Sequence, residues 1–169
     1  MSRGKKPTPI QQTVSVQVQE SARAREEQVV TPHEVAKSLS VIEGIGPAYA
    51  QQLSAAGIRT PNDLLEAGST KKKREDLAEQ TGITEKLILE WVNLADLFRI
   101  KGVGEEYSDL LEEAGVDTVV ELSRRNPANL HAKICEVNEE KKLVRRPPSL
   151  NQVMDWIQQA KKLPRKITY

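Results

Sequence analysis

Shifting the sequence by 58 residues lays one half on the other, and this internal repeat restricts the fold more than any other feature. Ile42 falls on Ile100, Gly44 on Gly102, Ile45 on Val103 and Gly46 on Gly104. Tyr49 falls on Tyr107, Leu53 on Leu111, Gly57 on Gly115, Thr60 on Thr118 and Leu64 on Leu122. A second match needs a shift of 65, which sets Glu90-Trp91-Val92 on Asp155-Trp156-Ile157 and Ala95 on Ala160. The seven-residue difference predicts an insertion in the second copy, within Asn138 to Pro148. A segment copied at a fixed period is one supersecondary unit used twice. The repeat therefore predicts units at about 31–99 and 100–165 that form one pseudo-symmetric domain over 31–165, with a tail at 166–169.

The punctuation inside each unit is helical. Gly57, Gly68, Gly82 and Gly115 each follow a stretch of helical periodicity, where a left-handed cap is expected. Thr60-Pro61, Thr70, Thr84, Thr118, Asn126-Pro127 and Ser149 have the chemistry of helix starts. No strand pair is legible after residue 31, so the fold class is all-α, a compact multi-helix domain of short helices. Thr31, Pro32 and Glu34 fit a capping box that opens the ordered part. Residues 1–30 carry no helical stripe, and the alternation at Thr13 to Val18 has no partner strand, so the segment reads as a flexible arm.

The start of each unit carries the chemistry of interest. Ile42-Glu43-Gly44-Ile45-Gly46 and Ile100-Lys101-Gly102-Val103-Gly104 each lead into a helix with apolar residues at helical spacing. Two glycines permit a tight turn with positive φ, and the apolar residue between them plugs the core. Such a turn leaves backbone N–H groups facing outward at a helix N-terminus, where free donors and the helix dipole favour an anion. The pattern resembles the helix-hairpin-helix motif over about 41–65 and again over about 99–123. The pairing of two such units is similar to a bacterial family of tandem helix-hairpin-helix proteins of unknown function, over nearly all of 35–169. That resemblance implies contact with the DNA backbone without sequence reading. Gly44, Ile45 and Gly46 would then present amides to one phosphate, and Gly102, Val103 and Gly104 to another.

Charge is unevenly placed around these turns. Twenty-five Lys and Arg nearly balance 24 Asp and Glu over the 169 residues, which argues against a wholly basic nucleic-acid coat. Residues 100–126 hold three bases and seven acids, with Glu105 and Glu106 directly after the second turn. Those carboxylates complement the helix dipole and repel a phosphate. Residues 41–68 carry one base and three acids. Positive charge gathers instead at Lys71, Lys72, Lys73 and Arg74, and over 127–169 with nine bases and four acids. Cations at a helix start oppose its dipole, so the 71–74 run points to an external anion such as DNA.

The remaining residues restrict the function classes. One cysteine, Cys135, excludes an internal disulfide, and Cys135 with His131 supplies two ligands, too few for a closed zinc site. Six aromatics are too few for a base-stacking platform. Trp91 and Trp156, at matching places, are expected in the core, and Tyr49 and Tyr107 over the turns. No nucleophile–base pair stands out, so no enzyme activity and no cofactor are expected. With no apolar span or export signal legible, a cytoplasmic protein is expected, with no membrane partner. Two functions remain: weak, non-specific binding of double-stranded DNA, or a scaffold that binds another protein or itself, in which the turns are structural.

Overall fold

Six of the eight helices among the described residues begin where a short polar side chain meets the free amides of a first turn. A computed structural model describes residues 38–169. Its helices are α1 (Pro47–Ala55), α2 (Pro61–Ala67), α3 (Lys71–Thr81), α4 (Glu85–Leu97), α5 (Glu105–Glu113), α6 (Val119–Ser123), α7 (Pro127–Lys141) and α8 (Leu150–Lys162). No strand occurs among these residues, as the all-α reading requires. The expected arm over 1–30 and the capping box at Thr31 lie outside the described residues.

Thr60, Thr70, Thr84, Thr118, Asn126 and Ser149 each accept a backbone N–H from three residues on. Each such cap stabilises its helix by about 1 kcal/mol. At Thr60 the bond is reciprocal, because the Asp63 carboxylate takes the Thr60 N–H at 3.1 Å.

The two units repeat in detail. In the first, α4 packs on α2 and α3; in the second, α8 packs on α6 and α7. Each unit has its own apolar core. The first gathers Ile42, Ile45, Leu53, Leu64, Ile88 and Trp91, and the second Ile100, Val103, Leu111, Leu122, Val153 and Trp156. Leu39 and Leu97, 58 apart, are fully buried at corresponding places in the two cores. Helix α4 thus serves both units: Trp91, Leu94 and Ala95 fill the first core, and Leu97 the second.

The seven extra residues of the second unit are spread, not inserted as one block. Helix α6 has 5 residues against 7 in α2, and α7 has 15 against 11 in α3. The connection before α8 runs over 142–149, where its counterpart is only 82–84. The longer connection needs more support. Buried Asn138 donates from Nδ2 to the Val144 carbonyl at 3.1 Å and accepts the Val144 N–H at 2.9 Å. In the short connection, the Thr81 hydroxyl accepts the Ile83 N–H at 3.2 Å.

Gly68 departs from expectation. Its φ is −115°, not left-handed. A Cβ there would lie 2.4 Å from a methyl of Val92, so Gly68 lets α2 approach α4.

Residues 166–169 are not a loose tail. The segment after α8 crosses from the second core to the first. Arg99 bonds the Pro164 carbonyl and the buried Asp96 carboxylate, each at 2.7 Å, and Asp96 also accepts the Val119 N–H at 2.9 Å. Ile167 is 3% exposed within the first core. The Thr168 N–H donates to Ser69 at 2.8 Å, and the Tyr169 hydroxyl donates to Asn93 at 3.3 Å. This strap and α4 are the covalent continuations that join the two cores.

Candidate functional site

Each glycine turn is built around a tryptophan. Gly44 has φ +89° and Gly102 φ +94°. A Cβ at either would lie 3.1 Å from the indole nitrogen of Trp91 or Trp156. Tyr49 meets the Trp91 ring edge-on at 4.9 Å between centroids, and Tyr107 meets Trp156 at 5.2 Å. Trp91 and Trp156 are both 2% exposed. The expected packing of both aromatic pairs is observed in both units.

The three residues of each turn divide their work. Ile45 and Val103 point into the cores. Their amides donate within the turn, to Ile42 and Ile100, each at 3.2 Å. Those two amides therefore do not face an incoming phosphate, which corrects the expectation for Ile45 and Val103. Gly46 and Gly104 are N-caps in extended conformation, with open space where a Cβ would be. Neither α1 nor α5 receives a side-chain cap, unlike the other six helices. The first turn of α1 contains no acid, whereas that of α5 contains Glu105 and Glu106.

The cationic run over 71–74 is largely engaged. Lys71 lies 3.9 Å from Glu75 and Lys72 2.6 Å from Asp76, both as exposed i,i+4 pairs. Lys73 donates to the Glu66 carbonyl at 3.1 Å and the Ser69 hydroxyl at 3.3 Å. Arg74 is 2% exposed. It donates to the Gly68 carbonyl at 2.9 Å and the Thr168 carbonyl at 3.0 Å. Its guanidinium also sits 5.8 Å from the centroid of the Tyr169 ring. Arg74 is therefore the anchor of the strap and not a surface cation, a second correction to the sequence reading. Lys71, Lys72 and Lys73 stay at the surface, each with a partner within the chain.

The sequence places an insertion within 138–148 and bases over 127–169, but does not single out the connection over 142–149 as part of a site. The Tyr107 hydroxyl, in the first turn of α5, donates to the Arg146 carbonyl at 3.2 Å. His131 Nε2 lies 3.0 Å from the Pro148 carbonyl, and Pro148 and Val144 are buried. Lys142, Arg145 and Arg146 are exposed, and none forms an ion pair among the described residues. Lys141, beside them, is paired with Glu113 of α5. The rise in repeat spacing from 58 to 65 marked the place, and its base-rich composition marked the chemistry.

A carboxylate in α5 registers both turns. Burial pushes the Asp109 carboxyl up to about 6, helped by the negative charges of Glu43, Glu105 and Glu113. One of its oxygens is buried without a partner. Glu43 belongs to the first turn and Glu105 to the second unit, so the acids of the two units share one field. The native state then holds the Asp109 proton more tightly than the unfolded chain. Its charged form opposes folding above pH ~6, and that opposition disappears as pH falls toward ~4. Asp109→Asn is expected to raise stability at pH 7 by about 1 kcal/mol, after discounting for solvent screening. Denaturant melts of both proteins across this range should show the gain shrink toward pH ~4. A gain independent of pH would contradict the assignment.

Among the described residues no group of three or more His, Cys, Asp or Glu side chains is placed to hold a metal ion. The Cys135 sulfur lies 3.6 Å from His131 Nε2, and no third ligand joins them. No described helix is long and apolar enough to cross a membrane.

A family model described as "Domain of unknown function (DUF4332)" matches residues 43–163. The chain belongs to this family. The matched span opens in the first turn and closes at Leu163, so the DUF4332 region contains both glycine turns, both tryptophan helices and the connection over 142–149. No solved structure matches the chain.

Proposed function

We propose that this DUF4332 protein is a non-enzymatic helix-hairpin-helix module that grips the phosphate backbone of duplex DNA without reading sequence, with its first hairpin as the main contact. The observation that carries this reading is the start of α1. Six helices have a first-turn amide taken by an N-cap side chain, but α1 begins at Gly46 with no such cap and no acid in its first turn. First-turn amides have no intrahelical acceptor, and at α1 they add to the positive end of the helix dipole. A phosphate oxygen is the natural acceptor for such donors. Pro47 contributes no N–H, so the donors are those of the residues around it.

The discriminating substitution is Gly46→Asp. Gly46 has φ −86° and ψ −177°, and a Cβ there meets nothing within 4 Å. An aspartate fits without strain, caps α1 itself and stabilises the fold by a few tenths to about 1 kcal/mol. The variant is expected to melt at or above the parent temperature and to bind duplex at least tenfold more weakly, read by fluorescence anisotropy. A stabilised variant that binds as the parent does would overturn the contact.

A second reading rests on the start of α5. Glu105 and Glu106 dress that terminus with negative charge, which suits a cationic protein surface. In that scaffold reading Gly46→Asp leaves recovery of the partner protein unchanged.

A further inference from the structure

The geometry points to the connection over 142–149 as a preformed cationic clamp on the phosphodiester backbone, working through Lys142, Arg145 and Arg146. This inference rests on the DNA reading above and assigns that site a second element.

Three observations carry it. First, the loop is held from beneath. Asn138 bonds both backbone groups of Val144, Val144 and Pro148 are buried, His131 reaches the Pro148 carbonyl, and Tyr107 reaches the Arg146 carbonyl. A buried amide, an imidazole and a phenol thus fix a segment whose counterpart in the first unit is three residues long. Lys142 even holds a left-handed conformation, φ 54°, which an L side chain adopts at some cost. Second, what this scaffold presents is uncompensated charge. All three cations are exposed, and none is paired among the described residues. Lysines 71 and 72, the more conspicuous run in the sequence, are each paired within α3. Third, the Tyr107 bond sets this charge beside the first turn of α5. There Glu105 and Glu106 repel a phosphate from the hairpin amides, and the loop supplies the cations instead. Bases carried on a held backbone bind phosphates with a smaller ordering cost than bases on a free loop, and they release counterions from the duplex.

The test compares two triple variants of the full chain with the same change in net charge. One carries Lys142→Ala, Arg145→Ala and Arg146→Ala; the other carries Lys71→Ala, Lys72→Ala and Lys73→Ala. Each is titrated against a labelled duplex at salt concentrations from about 50 to about 200 mM. The loop variant is expected to bind at least tenfold more weakly at low salt. Its plot of log K against log salt should be shallower by about 2 to 3, since each phosphate contact contributes about 0.9 to the slope. The α3 variant is expected to stay within about threefold of the parent, with nearly the parent slope. A loop variant with the parent's affinity and slope would overturn the inference, as would equal losses in both variants, which would mean net charge alone. If the parent binds no duplex at low salt, the DNA reading fails and this inference with it. If Gly46→Asp abolishes binding and the loop variant does not, only the clamp fails. Thermal melts accompany each titration; should the alanine variant unfold, Arg145→Gln with Arg146→Gln keeps most of the aliphatic stems, and a shortfall in slope of about 2, for two contacts, is required of it.

Discussion

A chain ended after Pro164 is expected to lose about 3.5 to 7 kcal/mol of stability, although it loses only five residues and no helix. Two terms make up this figure. Ile167 sits in the first core at 3% exposure, and removing such a side chain costs about 2 to 4 kcal/mol in transfer and cavity terms. Arg74 then loses the Thr168 carbonyl, and a hydrogen bond to a charged group is worth about 1.5 to 3 kcal/mol. Arg74 Nε is already buried without a partner, so the guanidinium has no spare acceptor to turn to. Chemical denaturation read by tryptophan fluorescence measures the loss. Ile167→Ala should account for about half of it or more, and Ile167→Val for under about 1.5 kcal/mol. A truncated chain whose midpoint matches the parent would mean that the strap is not docked in solution.

Gly44→Ala and Gly102→Ala are each expected to destabilise by about 2 to 3 kcal/mol, and by similar amounts. A left-handed backbone costs an alanine about 1 to 3 kcal/mol relative to glycine. The new methyl also meets the indole nitrogen of Trp91 or Trp156 at 3.1 Å, so the ring must give way while packed against Tyr49 or Tyr107. Gly46→Ser is the matched control, because that position has an extended backbone and open space. It should be neutral or stabilising by a few tenths of a kcal/mol. Equilibrium melts of the three variants decide the point. An alanine at 44 tolerated as well as a serine at 46 would contradict the close approach of tryptophan and turn.

These effects show why some features were legible in the sequence. The glycines and the tryptophans each recur in both units, so the repeat marked them, but not that they meet. Helix starts were legible for a local reason, since a cap is a bond between residues three apart. The strap was not legible. Ile167 has no counterpart in the repeat, and the bond from Arg74 to Thr168 spans 94 residues. Arg74 was hidden by its neighbours, as part of a four-residue basic run. The available signal was its phase: it stands three positions before Leu77, the other buried residue of α3, while Lys71, Lys72 and Lys73 stay on the exposed faces. At the turns, composition revealed the glycines but not the division of labour. Only the structure shows that Ile45 and Val103 spend their amides internally and that Gly46 stands in the open.

The measurement that tests the central claim most directly is a titration of two labelled duplexes of unrelated sequence with the full chain, at about 50 and about 200 mM salt. The account predicts micromolar binding at low salt, equal for both sequences, and a steep loss at the higher concentration as phosphate contacts give way to counterions. No binding at low salt, or binding that ignores salt, would contradict phosphate gripping and leave the glycine turns as purely structural parts of the two cores.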